Sequence, residues 1–108
     1  MPIIDVSGLM AGTKDAKNKL RAELKGMFTR FGFSVDSTTV TFIEDPTTGT
    51  EEHLMARLYS KSFMKMEPET LEKICDDVVA ILEKAGHPFN EAFIIPVLAM
   101  KGRGLKKP

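Results

Sequence analysis

The chain begins MPIIDVSG, and its second residue is the first that could do chemistry. If Met1 is removed, Pro2 becomes a free secondary amine at the first position of a β-strand. Low polarity and neighbouring cations both disfavour the charged amine, so its pKa falls toward the working pH. Such an amine takes a proton from one atom and returns it to another, as keto-enol isomerisation requires. A nearby cation steadies the developing enolate and grips a carboxylate. One source of cations is LMARLYSKSF, residues 54–63, where Arg57, Tyr59 and Lys61 alternate with Ala56, Leu58 and Ser60. On a strand this puts three polar-tipped side chains on one face. That face is either the solvated side of a sheet or a pocket or subunit interior lined with positive charge, and alternation alone leaves both open.

The elements that must position these residues follow from periodicity. Pro2 to Val6 reads as a short strand closed by Ser7-Gly8. From Thr13 as N-cap, the apolar positions Ala16, Leu20, Leu24, Met27, Phe28 and Phe31 fall three and four apart, predicting an amphipathic helix that Gly32 ends. Thr38 to Glu44 predicts a second strand, and DPTTGTEE a polar connecting loop. Leu54 to Phe63 predicts a third strand. Pro68 opens a second helix, whose stripe is Leu71, Ile74, Cys75, Val78, Leu82 and Ala85, with Gly86 as its stop. Ala92 to Met100 (AFIIPVLAM) predicts a fourth strand, buried on both sides, in which Pro96 must face an edge, a bulge or a subunit boundary. The tail KGRGLKKP is basic.

The predicted fold class is therefore α/β, with tandem β-α-β units over residues 2–44 and 54–100 of one 108-residue domain and a basic tail at 101–108. Two architectures share that order: one in which each unit keeps its two strands adjacent and the halves pair in pseudo-twofold fashion, and a ferredoxin-like split with strands one and three together in the middle.

Composition narrows the function classes. A formal net charge of zero argues against a dedicated nucleic-acid protein. A single cysteine, Cys75, leaves no disulfide framework and fits a reducing compartment, so the cytoplasm is expected. His53 and His87 lack metal-ligand spacing, so no metal and no cofactor are expected, and no long apolar run predicts a membrane span. The first helix is rich in Lys and Arg and the second in Asp and Glu, which points to helices that complement each other on one sheet, or to a basic patch that meets RNA, an acidic partner or the second helix of another subunit. A chain this short also gains stability by burying a sheet face against another subunit.

The start MPIIDV, the strand-to-helix join AGTKD and the doubled β-α-β layout across residues 2–100 resemble the tautomerase superfamily. The similarity is greatest to the two-unit branch that includes the macrophage migration inhibitory factor and carboxymethyl-hydroxymuconate isomerase types. The resemblance implies a four-stranded sheet with two helices on one face, a homotrimer, Pro2 as general base, and a small enolisable carboxylate as substrate. It also implies that Lys14, in AGTKD, binds substrate carboxylate and that Lys65, just past the third strand, shapes the pocket, beside Arg57 and Lys61 from the alternating face. Several positions depart from the pattern. Thr41 stands about where some members carry a substrate-binding arginine, FMKMEPE replaces a glycine-rich turn, and the tail offers Lys101 and Arg103 without the expected aromatic or asparagine. The competing expectation is a domain of the same fold, or a ferredoxin-like one, that binds a small ligand or a protein without catalysis.

Overall fold

A computed structural model describes residues 2–8, 14–43, 53–87 and 90–96. The Thr13 cap, the DPTTGTEE loop, the end of the predicted fourth strand beyond Pro96 and the basic tail with Lys101 and Arg103 lie outside the described residues. The elements are β1 (Ile3–Ser7), α1 (Lys14–Thr29), β2 (Thr39–Ile43), β3 (Leu54–Tyr59), a 3-10 turn (Lys61–Lys65), α2 (Pro68–Lys84) and β4 (Asn90–Ile95). They form one sheet in the order β2-β1-β3-β4. Within each unit the strands are neighbours and parallel (β1 with β2, β3 with β4), and the units meet through antiparallel β1 and β3. Of the two candidate architectures this is the pseudo-twofold one. Having strands one and three in the middle does not separate them; the presence of β2 directly beside β1 does.

Both helices lie on one sheet face and pack on each other. Leu20, Leu24, Met27 and Phe28 of α1 and Ile74, Val78 and Leu82 of α2 are buried against Ile4, Val6, Val40, Leu54, Ala56 and Leu58. Each fully buried aliphatic side chain stabilises the fold by about 1.5–3 kcal/mol relative to exposure. The charge asymmetry of the helices is met in part by an ion pair between them, Arg30 Nη2 to Asp77 Oδ2 at 3.2 Å. Because the arginine side chain is 63% exposed, this pair contributes little to stability. No helix among the described residues is long and apolar enough to cross a membrane.

Two expectations are corrected. The third strand stops at Tyr59 because the Ser60 hydroxyl accepts the Ser62 N–H at 3.2 Å and the Ser60 carbonyl accepts the Phe63 N–H at 3.1 Å, turning the chain into the 3-10 turn. Lys61 therefore lies on that turn and does not share the strand face of Arg57 and Tyr59. The fourth strand ends at Ile95, directly before Pro96, and is an edge strand whose residues are half-buried or exposed. It is not buried on both sides; with no N–H to offer, Pro96 closes it.

Gly8 closes β1 with φ at +135°. A Cβ there would sit 2.5 Å from the His53 carbonyl oxygen and 2.8 Å from Leu54 Cδ2. Gly8→Ala thus meets a backbone clash as well as a strained φ. We expect it to cost at least about 2 kcal/mol in urea unfolding, from strain plus displaced packing; a cost near zero would mean that β1 and β3 do not close this way.

Candidate active site

The structure puts Pro2 at the end of the central strand β1, with its ring under 2% exposed. Its carbonyl accepts the Thr39 N–H at 3.0 Å, which ties it to β2. Continuing each ladder by one step sets Thr38 beside Pro2 on the β2 side and Ser60 beside it on the β3 side. Both are buried, at 2% and 4% exposure. Thr38 Oγ1 donates to the Ser34 carbonyl at 3.0 Å, so the turn before β2 is held in place. The Pro2 ring is thus enclosed at the rim of the sheet between two buried hydroxyl-bearing residues. Sequence periodicity gave no sign of Thr38 or Ser60, since both reach Pro2 only through strand register.

On the β3 side the 3-10 turn is anchored by Phe63, which is 1% exposed and packs on Phe28 and Phe33 with ring centroids 6.3 and 5.8 Å away. That anchor leaves Lys61, Met64 and Lys65 exposed at the same end of the sheet as Pro2. Met64 is 55% exposed, an apolar surface beside two cations. On the uncovered sheet face, Tyr59 pairs across β1 with Ile3 and is half-buried.

Arg57 and Lys14 are not brought to Pro2 within one chain. Arg57 pairs in register with Asp5, and its guanidinium runs the other way: Nη1 donates to Ser7 Oγ at 3.1 Å and Nη2 to Met55 Sδ at 3.1 Å. Lys14 opens α1, whose last turn holds Phe28 against Phe63 near Pro2. Fourteen helical steps separate Lys14 from Phe28, so it lies about 20 Å from that end.

The remaining reactive side chains fall elsewhere. Cys75 is half-buried on α2, and burial, then the adjacent Asp76 carboxylate, pushes its thiol above the ordinary range. That lowers its thiolate fraction and suits packing better than nucleophilic attack. His53 Nε2 lies 3.6 Å from Glu91 Oε1 at the opposite end of β3 from Pro2. Among the described residues no cluster of His, Cys, Asp or Glu is arranged to hold a metal ion.

No protein-family model matches the chain, and no curated protein matches its sequence. Solved structures do match its shape. A fused 4-OT asymmetric trimer superposes with a TM-score of 0.76 over 94% of each chain at 9% identity. Malonate semialdehyde decarboxylase gives 0.68 over 94% of this chain and 92% of that one at 14% identity. A macrophage migration inhibitory factor-like protein from Entamoeba histolytica gives 0.65 over 86% and 85% at 14% identity. With two parallel β-α-β units joined through antiparallel β1 and β3, the chain has the fold of the tautomerase superfamily.

Proposed function

We propose that the protein catalyses tautomerase-type proton transfer on a small enolisable carboxylate, with Pro2 as general base once Met1 has been removed. The observation that carries this reading is the enclosure of the Pro2 ring at the start of the central strand, between buried Thr38 and Ser60, with Lys61 and Lys65 exposed on the adjoining turn. The unprotonated secondary amine takes a proton from the substrate's enol oxygen or α-carbon and returns it to the other position. Lys61 and Lys65 hold the carboxylate and balance the charge that develops on the enolate oxygen. Fold alone does not assign this chemistry, because one fold hosts many activities. The enclosed proline with cations beside it is the supporting feature.

The 4-OT matches are trimers, which supports a homotrimer for this chain. Lys14 and Arg57, remote from Pro2 in their own protomer, would then serve a neighbouring subunit's site. One core spanning both units supports reading residues 1–108 as a single domain, and the lone cysteine supports a cytoplasmic location.

Intact-mass measurement together with an enol-acid ketonisation assay tests the reading. The active form is expected to lack Met1; full turnover by protein that retains it would end the proposal, because the proline nitrogen is then an amide with no basic lone pair. For the carboxylate contact, Lys61→Ala is expected to raise KM for a carboxylate substrate by about 5- to 20-fold, the low end of one charge-assisted hydrogen bond because the lysine is exposed and screened. A neutral ester of the same substrate should change little, and equal effects on the two would remove Lys61 from anion binding.

A further inference from the structure

The two helices complement each other in charge at one end of their layer and not at the other. Near Phe28 they are joined by Arg30 and Asp77. Between the first half of α1 and the end of α2 lies a cavity of about 250 Å³ lined by Ala16, Lys19, Leu20, Glu23, Lys84 and Ala85. The space is left because small side chains border it: Ala16 on α1 and Ala85 at the C-cap of α2, with buried Leu20 as the rest of the apolar floor. Its walls carry like charges, Lys19 from α1 and Lys84 from the last turn of α2, with Glu23 the one acid of the lining. Among the described residues none of these three has an ion pair. The negative end of α2 does not occupy Lys84 either, because the carbonyls of Ile81, Leu82 and Glu83 accept the N–H groups of Ala85, His87 and Gly86 at 3.1, 3.0 and 3.0 Å. Two lysines against one glutamate leave the cavity with one positive charge in excess, and cations on opposite walls repel unless an anion lies between them.

We propose that this cavity is a second ligand site, for a small aliphatic carboxylate whose chain lies along Ala16, Leu20 and Ala85 and whose carboxyl group lies between Lys19 and Lys84. A single negative charge balances the excess, which favours a carboxylate over a phosphate monoester with its nearly two charges. The size agrees: drug-sized ligands occupy about 300–1,000 Å³, so this smaller space suits a chain of about six carbons. Glu23 opposes the anion from the same wall as Lys19. Both lysines are exposed, so binding is weak and falls with salt. The site does not depend on the chemistry at Pro2. Lys19 stands nine helical steps, about 14 Å, before Phe28, which packs on Phe63 at the Pro2 end.

An NMR titration of the full chain with hexanoate at low salt reads the site residue by residue and is independent of turnover. Saturable shifts are expected at the amides of Lys19, Leu20, Glu23, Lys84 and Ala85, with a Kd on the order of 1–10 mM for so small a ligand. Hexylammonium and 1-hexanol, of equal chain length, should bind at least about 3-fold more weakly. Lys19→Gln and Lys84→Gln should each weaken hexanoate about 2- to 5-fold, the range of one exposed charge contact, and Glu23→Gln should tighten it about 2-fold. Ala16→Leu, which fills the space with a good helix former, should abolish the shifts. Absence of saturable shifts at these amides, equal binding of 1-hexanol or hexylammonium, or a wild-type Kd in both lysine variants overturns the inference. Lys61→Ala should leave these shifts as they are; their loss in that variant would place the carboxylate at the Pro2 end and overturn the second site. The proton-transfer reading stands or falls separately, on whether turnover depends on a free Pro2 nitrogen.

Discussion

Pro2→Ala, in protein from which Met1 has been removed, is expected to lower kcat for enol-acid ketonisation by about 10²- to 10⁴-fold, the range that a positioned general base supplies. Alanine still presents an amine, so the loss reports what the ring does. The ring ties the nitrogen to its own side chain, and at under 2% exposure between Thr38 and Ser60 it has one place to sit. The nitrogen is therefore held in one orientation at the rim of the sheet. A primary amine on alanine keeps a free rotor and admits water where the ring was, so its basicity and its aim both change. Losing the buried ring methylenes costs about 1.5 kcal/mol of stability, which urea unfolding measures separately from rate. A companion protein that retains Met1 keeps every side chain and blocks only the lone pair. It should unfold at the wild-type urea midpoint and show no turnover. Wild-type rates in Pro2→Ala would leave a domain of this fold that binds ligand without catalysis.

How much of this was legible in the sequence depends on the range of the interaction involved. α2 was readable because its signals are local: Pro68 in the first turn, a stripe through Ile74, Val78 and Leu82, and Gly86 with φ at +98° after the end. The end of β3 was misread because Leu54, Ala56, Leu58 and Ser60 keep a strict period of two. The next buried residue is Phe63, three positions on, and that slip in phase marks the turn that the Ser60 cap makes. β4 looked buried on both sides since AFIIPVLAM is apolar throughout; its place at the edge depends on strand order, which no local pattern encodes. The site divides the same way. Pro2 and the two turn lysines were visible as residue types, whereas Thr38 and Ser60 reach the proline only through parallel and antiparallel register with segments 36 and 58 residues away. Arg57 was visible too, but its direction was not. Its partners, Ser7 and Met55, lie toward the far end of the sheet and turn it from Pro2.

The largest stability effect is expected at Phe63. It is the only buried residue of the 3-10 turn, 1% exposed, and its ring closes a three-membered aromatic cluster with Phe28 at the end of α1 and Phe33 in the loop that leads to β2. Phe63→Ala removes most of a large ring from a site walled by two others, which cannot collapse into the space without moving α1. A loss of about 3–5 kcal/mol is expected in urea unfolding, against about 1 kcal/mol for the volume-conserving Phe63→Leu. The same residue also fixes where Lys61 and Lys65 stand, because a five-residue 3-10 turn has too few internal bonds to hold itself. If the proposed site is correct, Phe63→Leu should raise KM for a carboxylate more than it lowers kcat, since the cations shift while the proline stays on β1. A drop in kcat with KM unchanged would mean that the turn positions Pro2 rather than the carboxylate. A loss under about 1 kcal/mol in Phe63→Ala would show that the aromatic cluster does not carry the turn.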